Sequence, residues 1–317
     1  MLVNNTKNSV LVSGSTGFLG RYVVQNFQEM IIYSIERAIE DTSEYKIQCD
    51  LSKNTILLPN LHFDRVIHIA GKAHSIPKTK EEEQDFFNVN LKGTKNLLSS
   101  LSLLSQKPNI FIFISTVAIY GVENGNLLTE STNPNPTTPY GKSKYEAEKL
   151  VTQYCTDKNI SFFILRLPLV VGRNAPGNFG DMVNAIERGS YIRVKNNFTK
   201  KSIVWADDVA KLIVRLDTSY ESGVYNLTDG YNPTFFELEE NIATLFNKKI
   251  IISVPKIILK FVANVGNFLN KVGIKFPLDS LKLSKLLSPL TFDSSKAMKK
   301  LDWKPNIVIA NLDKILN

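Results

Sequence analysis

Short apolar runs alternate with longer stretches of helical periodicity through the first two thirds of the chain. Residues 9–13, 31–35, 65–69, 110–115 and 161–165 have the length and apolarity of buried strands. Between them, 22–30, 82–104 and 139–155 read as helices. Such alternation predicts an α/β fold with a parallel sheet covered on both faces. Right-handed crossovers then bring the carboxyl ends of the strands to one edge, where ligands bind. The segments VSGSTG and FISTVAIYG both fall at such ends.

Beyond Val171 the pattern loosens. GRNAPGNFG and VKNNFTKKS read as loops, and from Pro233 onward the chain is more helical. Thr234 followed by Glu237 forms a capping box that opens one of these helices. The expected division is a first unit over 1–171, extended by 203–229, and a smaller discontinuous one over 172–202 and 230–317. One amphipathic stretch, 256–272, puts Ile258, Phe261, Val262, Val265, Phe268, Leu269 and Val272 on a single helical face. That face is expected to pack against the core or a second subunit; the alternative is a helix lying on a membrane surface.

Composition narrows the class. With 43% apolar and 21% charged residues in 317, the chain has the make-up of a globular protein. Two cysteines, Cys49 and Cys155, cannot build a disulfide framework, which fits a reducing, cytoplasmic compartment. No signal peptide and no apolar run long enough to span a bilayer is legible. The net charge of +8 is unevenly spread. From residue 248 onward there are thirteen Lys, four Asp, and no Arg or Glu, so this segment carries all of the excess. It suits a solvated surface, a phosphorylated substrate or an anionic membrane. Nucleic acid is not an expected partner, because the basic residues are not interleaved with aromatics in any known motif.

Gly14, Gly17 and Gly20 lie between an apolar run and a helix that begins near Phe18. Bare backbone there can approach a pyrophosphate, and the positive end of the helix points at it. Glu36, at the end of the next strand, suits a free ribose 2′-hydroxyl and hence NAD, whereas neighbouring Arg37 keeps NADP open. Asp50 could accept a hydrogen bond from an adenine amino group. Tyr-x-x-x-Lys recurs four times, so position decides among the matches. Tyr140 follows an N-cap threonine, Thr138, and a first-turn proline, Pro139, and Lys144 lies one turn on along the same face. Tyr145 is turned away by about 140°. A lysine ammonium and an oxidised nicotinamide would favour the phenolate of Tyr140. Ser115 or Thr116 would supply a hydroxyl that shares the proton.

With these residues in view, the sequence resembles the extended short-chain dehydrogenase/reductases, in their nucleotide-sugar epimerase/dehydratase branch. The resemblance rests on GSTGFLG, Glu36, CDL with Asp50, VIHIAG, NVNLKGT, STVAIYG, PYGKSK, RLPLVVG, GNF and FDSSKAMKKLDWKP, and so runs nearly the whole chain. It implies a Rossmann-type doubly wound sheet with a smaller substrate domain, and a homodimer. It implies Tyr140 as the base, with Lys144 and Thr116 (or Ser115) beside it. Contacts to NAD would come from Gly14, Thr16, Gly17, Phe18, Leu19, Gly20, Glu36, Arg37, Asp50, Leu51, Ala70, Gly71, Asn90, Tyr140, Lys144 and Pro168. A UDP-sugar or similar nucleotide-sugar would meet Lys72, His74, Thr116, Asn178 and Lys201, with Lys282 or Lys285 as a further phosphate contact.

The residues after Thr116 discriminate between reactions. The 4,6-dehydratases of this branch carry an Asp-Glu pair there, whereas this chain has Val117 and Ala118, which cannot move protons. Dehydration is therefore not expected. A 4-epimerase is, with a 4-keto-sugar reductase or the 4-epimerase of a lipid-diphosphate-linked sugar as alternatives. A protein that senses NAD(P) without turnover is disfavoured by the intact Tyr-Lys pair. His68 reads as a packed strand-end residue, and scattered His and Cys argue against a metal site.

Overall fold

The computed structural model describes residues 9–28, 30–39, 43–73, 75–271 and 279–316. In chain order the first elements are β1 (Ser9–Ser13), α1 (Phe18–Asn26), β2 (Ile31–Glu36), β3 (Lys46–Gln48) and β4 (Phe63–His68). Next come α2 (Lys80–Phe86), a π-helical segment (Phe87–Lys92), α3 (Gly93–Ser102), β5 (Ile110–Thr116) and a 3-10 turn (Val117–Tyr120). They are followed by β6 (Gly125–Leu128), α4 (Pro139–Lys158), β7 (Ser161–Leu167) and β8 (Leu169–Val171). The remainder begins with α5 (Asn178–Glu187), β9 (Ile192–Val194), β10 (Ile203–Trp205), α6 (Ala206–Arg215) and β11 (Gly223–Asn226). It ends with α7 (Phe235–Leu245), β12 (Ile252–Val254), α8 (Lys256–Lys271), α9 (Ser280–Leu287), β13 (Leu290–Phe292), α10 (Ser295–Lys300) and α11 (Leu312–Leu316).

Seven strands form a parallel sheet in the order β11-β7-β5-β4-β1-β2-β3. Alternate side chains of the central strands feed two cores, as the period of two requires. Val10, Val12, Ile112, Ile114, Phe163 and Leu165 pack with Leu19 and Val23 of α1 and Val209, Leu212 and Ile213 of α6. On the opposite face Leu11, Val66, Phe111, Phe113 and Ile164 meet Leu97 and Leu101 of α3 and Ala147, Val151 and Cys155 of α4. A third core gathers Val171, Phe179, Met182, Ile186, Leu238, Ile242, Leu312 and Ile315, away from the sheet strands. The capping box at α7 is formed: Thr234 Oγ1 accepts from the Glu237 amide at 3.1 Å, and the Glu237 carboxylate accepts from the Thr234 amide at 2.8 Å.

Three local expectations need correction. Helix α1 begins at Phe18, as the glycine loop suggested and earlier than the apolar pattern over 22–30, and it stops at Asn26, with Leu19 and Gly20 buried in its first turn. The helix read over 82–104 is broken by the π-helical segment into α2 and α3. The apolar face of 256–272 is not in the core: Ile258, Phe261, Val265 and Phe268 of α8 are exposed, and Ala263 and Gly266 are the buried positions. Val272 lies outside the described residues.

Candidate active site

From β1 the chain steps to β2 and β3 on one side, then crosses to β4, β5, β7 and β11 on the other. The crevice at the carboxyl ends of β1 and β4 is therefore the topological switch point, where open sheets of this kind bind their ligands. Gly14 forms the turn out of β1 with φ +80°, and a Cβ there would stand 2.6 Å from the Ala70 amide nitrogen. Only glycine allows the two strand ends to come this close. At Gly20 a Cβ would be 2.0 Å from the Gly14 carbonyl, so the first turn of α1 is seated against the loop. Among the described residues no side chain caps α1. The backbone N–H groups of its first turn, beyond Gly17, whose amide bonds the Gly14 carbonyl at 3.1 Å, are the natural donors for a phosphate.

Glu36 ends β2 partly exposed, and Ser15 Oγ donates to its carboxylate at 3.4 Å. Arg37 beside it is exposed. Bare glycine backbone, an uncapped helix start and an acid at the end of the second strand fit a dinucleotide, with Glu36 suited to a ribose diol. Other expected contacts take different postures. Asp50 accepts from the Ser52 hydroxyl at 2.6 Å and from its amide at 3.1 Å, which holds its carboxyl below the usual range. Leu19 and Leu51 are buried in the two sheet cores, so they offer the crevice backbone rather than side chain. Phe18 packs edge-on against Tyr22, 5.5 Å between ring centroids, and both rings close on Gly172. Thr16 is exposed in the loop, and Pro168 separates β7 from β8.

Asn90, in the π-helical segment, is a brace. Its side chain accepts from the Lys72 amide at 2.7 Å and donates to the Lys72 carbonyl at 3.1 Å and to Ser143 Oγ at 2.9 Å. Gly71 passes directly under it. The π-bulge thereby ties the loop after β4 to the start of α4. Lys72 extends to Asp85 at 3.0 Å and over the ring of Phe86.

Helix α4 starts as its sequence dictates: Thr138 Oγ1 accepts from the Gly141 amide at 3.1 Å and Pro139 occupies the first turn. This fixes Tyr140 beside the end of β5, with its hydroxyl close enough to the Thr116 side chain for that residue to favour the phenolate. Phe86 stands 6.1 Å from the Tyr140 ring as a wall. Burial raises the Tyr140 phenol, and the neighbouring Thr116 side chain opposes that rise. One turn on, Lys144 is buried with its ammonium 3.9 Å above the Phe113 ring centroid. Desolvation pulls Lys144 down to about 7, against the upward pull of Glu148. Burial outweighs the Thr116 contribution, so the phenol stands above its ordinary value.

Ser115 and Thr116 part company. The Ser115 hydroxyl donates to Glu148, which is also held by Arg166 at 2.7 and 3.1 Å. Arg166 continues to the Tyr120 hydroxyl at 3.0 Å, and that hydroxyl donates to Asn226 at 2.8 Å. Ser115 is thus committed to a buried network, and Thr116 is the hydroxyl at Tyr140. Tyr145 packs near Ile119, Tyr120 and Phe292, on the other side of α4. Lys201 and Lys285 are brought together: Lys201 Nζ donates to the Lys285 carbonyl at 2.9 Å, and Lys285 pairs with Glu123 at 3.3 Å. Asn178 is exposed at the start of α5. His74 lies outside the described residues, as does the side chain of Lys282. The network through Glu148, Arg166 and Tyr120, the Phe86 and Phe113 walls and the Glu123 partner were not anticipated. Only Glu148, on the same helical stripe as Tyr140 and Lys144, carried a sequence signal.

Fold and switch-point chemistry together place the chain among the extended short-chain dehydrogenase/reductases. More narrowly, it belongs to the NAD dependent epimerase/dehydratase family, whose family model matches residues 10–228. It is 26% identical to a UDP-glucose 4-epimerase of Vibrio cholerae over 94% of this chain and 90% of that one. It is also 26% identical to the N-acetyl-alpha-D-glucosaminyl-diphospho-ditrans,octacis-undecaprenol 4-epimerase of Escherichia coli O157:H7, over 98% and 94% of the two chains. Its fold matches the crystal structure of a UDP-N-acetylglucosamine 4-epimerase from Bacillus cereus with a TM-score of 0.75 at 22% identity, over 97% of this chain and 98% of that one.

Proposed function

We propose that the protein is an NAD-dependent 4-epimerase of a hexose or N-acetylhexosamine carried on a UDP diphosphate. The observation that carries this reading is the Thr116–Tyr140 hydroxyl pair at the end of β5, one helical turn from Lys144. Tyr140 takes the proton of the sugar 4-hydroxyl and returns it, while Thr116 shares the hydrogen bond and holds the oxygen in place. Lys144 contributes positive charge that favours the phenolate. Bound NAD would supply the hydride acceptor for C4 and the donor that returns it to the opposite face of the 4-ketone. Gly14, the first turn of α1 and Glu36 would hold its pyrophosphate and adenosine ribose. Lys201 and Lys285 form a basic pair suited to the substrate diphosphate, with 172–202 and 230–317 as the substrate-binding part. Val117 and Ala118, which occupy the 3-10 turn after Thr116, carry no group able to move a proton, and this supports epimerisation over dehydration.

The relatives that are UDP-glucose and lipid-diphosphate-linked sugar 4-epimerases support the same chemistry on two carriers. Exposed apolar residues along α8 favour keeping the lipid-linked carrier as the second reading. Purified protein incubated with UDP-N-acetylglucosamine, without added cofactor, is expected to yield UDP-N-acetylgalactosamine. No conversion of UDP-glucose or UDP-N-acetylglucosamine, combined with NAD(P)H-dependent reduction of a 4-keto-sugar, would overturn the epimerase reading.

A further inference from the structure

Helix α8 presents an apolar stripe to the outside. Ile257, Ile258, Phe261, Val265 and Phe268 fall within an arc of about 100° on the helix. All five are exposed, with Ile257 at 77%, Phe261 at 71% and Phe268 at 64%. Just before the helix, Ile251 and Ile252 are exposed at the edge, and Ile252 is in register with exposed Ile192 of β9. Scattered apolar side chains on a surface need no explanation, but a row of two isoleucines, two phenylalanines and a valine along one helix does.

The charge around the stripe says what covers it. From 241 to 278 the chain has six lysines and no acidic residue. Lys256 and Lys260 project beside the stripe, on the arc between it and the buried Ala263. Their stems can lie along apolar surface while the ammonium groups reach outward. An apolar stripe flanked by lysines complements the acyl–headgroup boundary of an anionic bilayer. A second copy of the chain is a poor match, since it would bring two lysine-bearing surfaces together with no carboxylate from 241 to 278 on either to pair them.

We infer that the α8 stripe, flanked by Lys256 and Lys260, is a docking surface for an anionic membrane, on which the helix lies flat. Among the described residues no helix is long and apolar enough to cross a bilayer, so the contact is peripheral. The helix is also coupled to the basic pair. Asn267 bonds the side chain and amide of Ser280 at the start of α9, at 2.7 and 3.1 Å. At the far end of α9 the carbonyls of Lys285, Leu286 and Leu287 accept from Lys201, Asn197 and Thr199. The inference rests on exposure and charge, and it stands whichever sugar the enzyme turns over.

The test is flotation of the full-length protein with phosphatidylcholine vesicles, with and without phosphatidylglycerol. Wild type is expected to float with the anionic vesicles and to be released by high salt. The variant Phe261→Asp/Phe268→Asp is expected to stay at the bottom of the gradient while its circular dichroism and melting temperature match wild type, since both side chains are exposed. Lys256→Glu/Lys260→Glu is expected to lose several-fold in bound fraction. Equal flotation of wild type and Phe261→Asp/Phe268→Asp would overturn the assignment, as would failure of wild type to bind either vesicle. So would wild type running as a dimer that Phe261→Asp/Phe268→Asp converts to monomer on a sizing column, since the stripe would then be a subunit interface.

Discussion

At the scale of single residues, the two hydroxyls at the end of β5 have opposite assignments. Thr116 meets Tyr140, whereas Ser115 is bonded to the buried carboxylate of Glu148. Ser115 shares its face of β5 with Phe111 and Phe113, which pack against α4, and so its hydroxyl meets Glu148 inside that core. Tyr140→Phe is expected to lower turnover by about two to four orders of magnitude while NAD binding persists. Thr116→Val should lower kcat less. Ser115→Ala should leave kcat nearly unchanged and cost about 1–3 kcal/mol in a denaturant titration, because it strands part of a buried carboxylate. Steady-state kinetics and urea midpoints on the same three variants separate the roles; a Ser115→Ala enzyme as slow as Thr116→Val would contradict this assignment. Gly14 gives an independent check. Gly14→Ala places a methyl group 2.6 Å from the Ala70 amide at a positive φ, so loss of both stability and NAD affinity is expected, read by thermal melts with and without cofactor.

Among the elements, α4 and β7 share a buried ion pair. Tyr140, Lys144 and Glu148 form one stripe along α4, and Glu148 closes on Arg166 of β7 with both side chains buried. Breaking such a pair leaves a charge without partner or water. Arg166→Met alone is expected to destabilise by about 3–5 kcal/mol, and Glu148→Gln/Arg166→Met by clearly less than the two single changes added together. Chemical denaturation of the four proteins completes the cycle. The stripe also shows what periodicity can and cannot reveal. Helix α4 was legible from Thr138, Pro139 and its length, and Tyr140 and Lys144 with it. The Arg166 partner lies on a strand whose apolar pattern hides one charged residue, and only the fold brings it to Glu148. The π-helical segment escaped for a related reason: its extra residue leaves the apolar spacing of 82–104 readable as one helix. Strands β3 and β11, of three and four residues, are too short for a pattern and exist by pairing with longer neighbours. Short glycine and cap motifs survive because their chemistry is local, whereas charge pairs across elements are set by tertiary packing.

For the molecule as a whole, acid stability is set by buried groups with opposite signs. Burial raises the carboxyls of Asp208, Asp229 and Glu239, which favours the folded state toward low pH. His68 acts the other way. Its imidazole links β1 to α3, meeting Ser13 Oγ at 2.5 Å and Thr94 Oγ1 at 2.9 Å, and burial with the nearby Lys144 charge lowers it to about 3. An unfolded chain binds a proton at His68 below about 6.5, whereas the folded protein does so only near 3. Between those values the unfolded state holds more protons, so the stability owed to a neutral His68 is complete above the unfolded value and drains away as pH falls. At about pH 4.5 the loss from this residue alone amounts to about 2.5–3 kcal/mol. Urea midpoints are therefore expected to fall between neutral pH and that point. His68→Gln should start lower, having lost its ring packing, but should fall along a visibly flatter slope. A slope identical to wild type would mean that His68 is protonated in the folded protein, and that the Ser13–His68–Thr94 link carries a charge at the heart of the sheet.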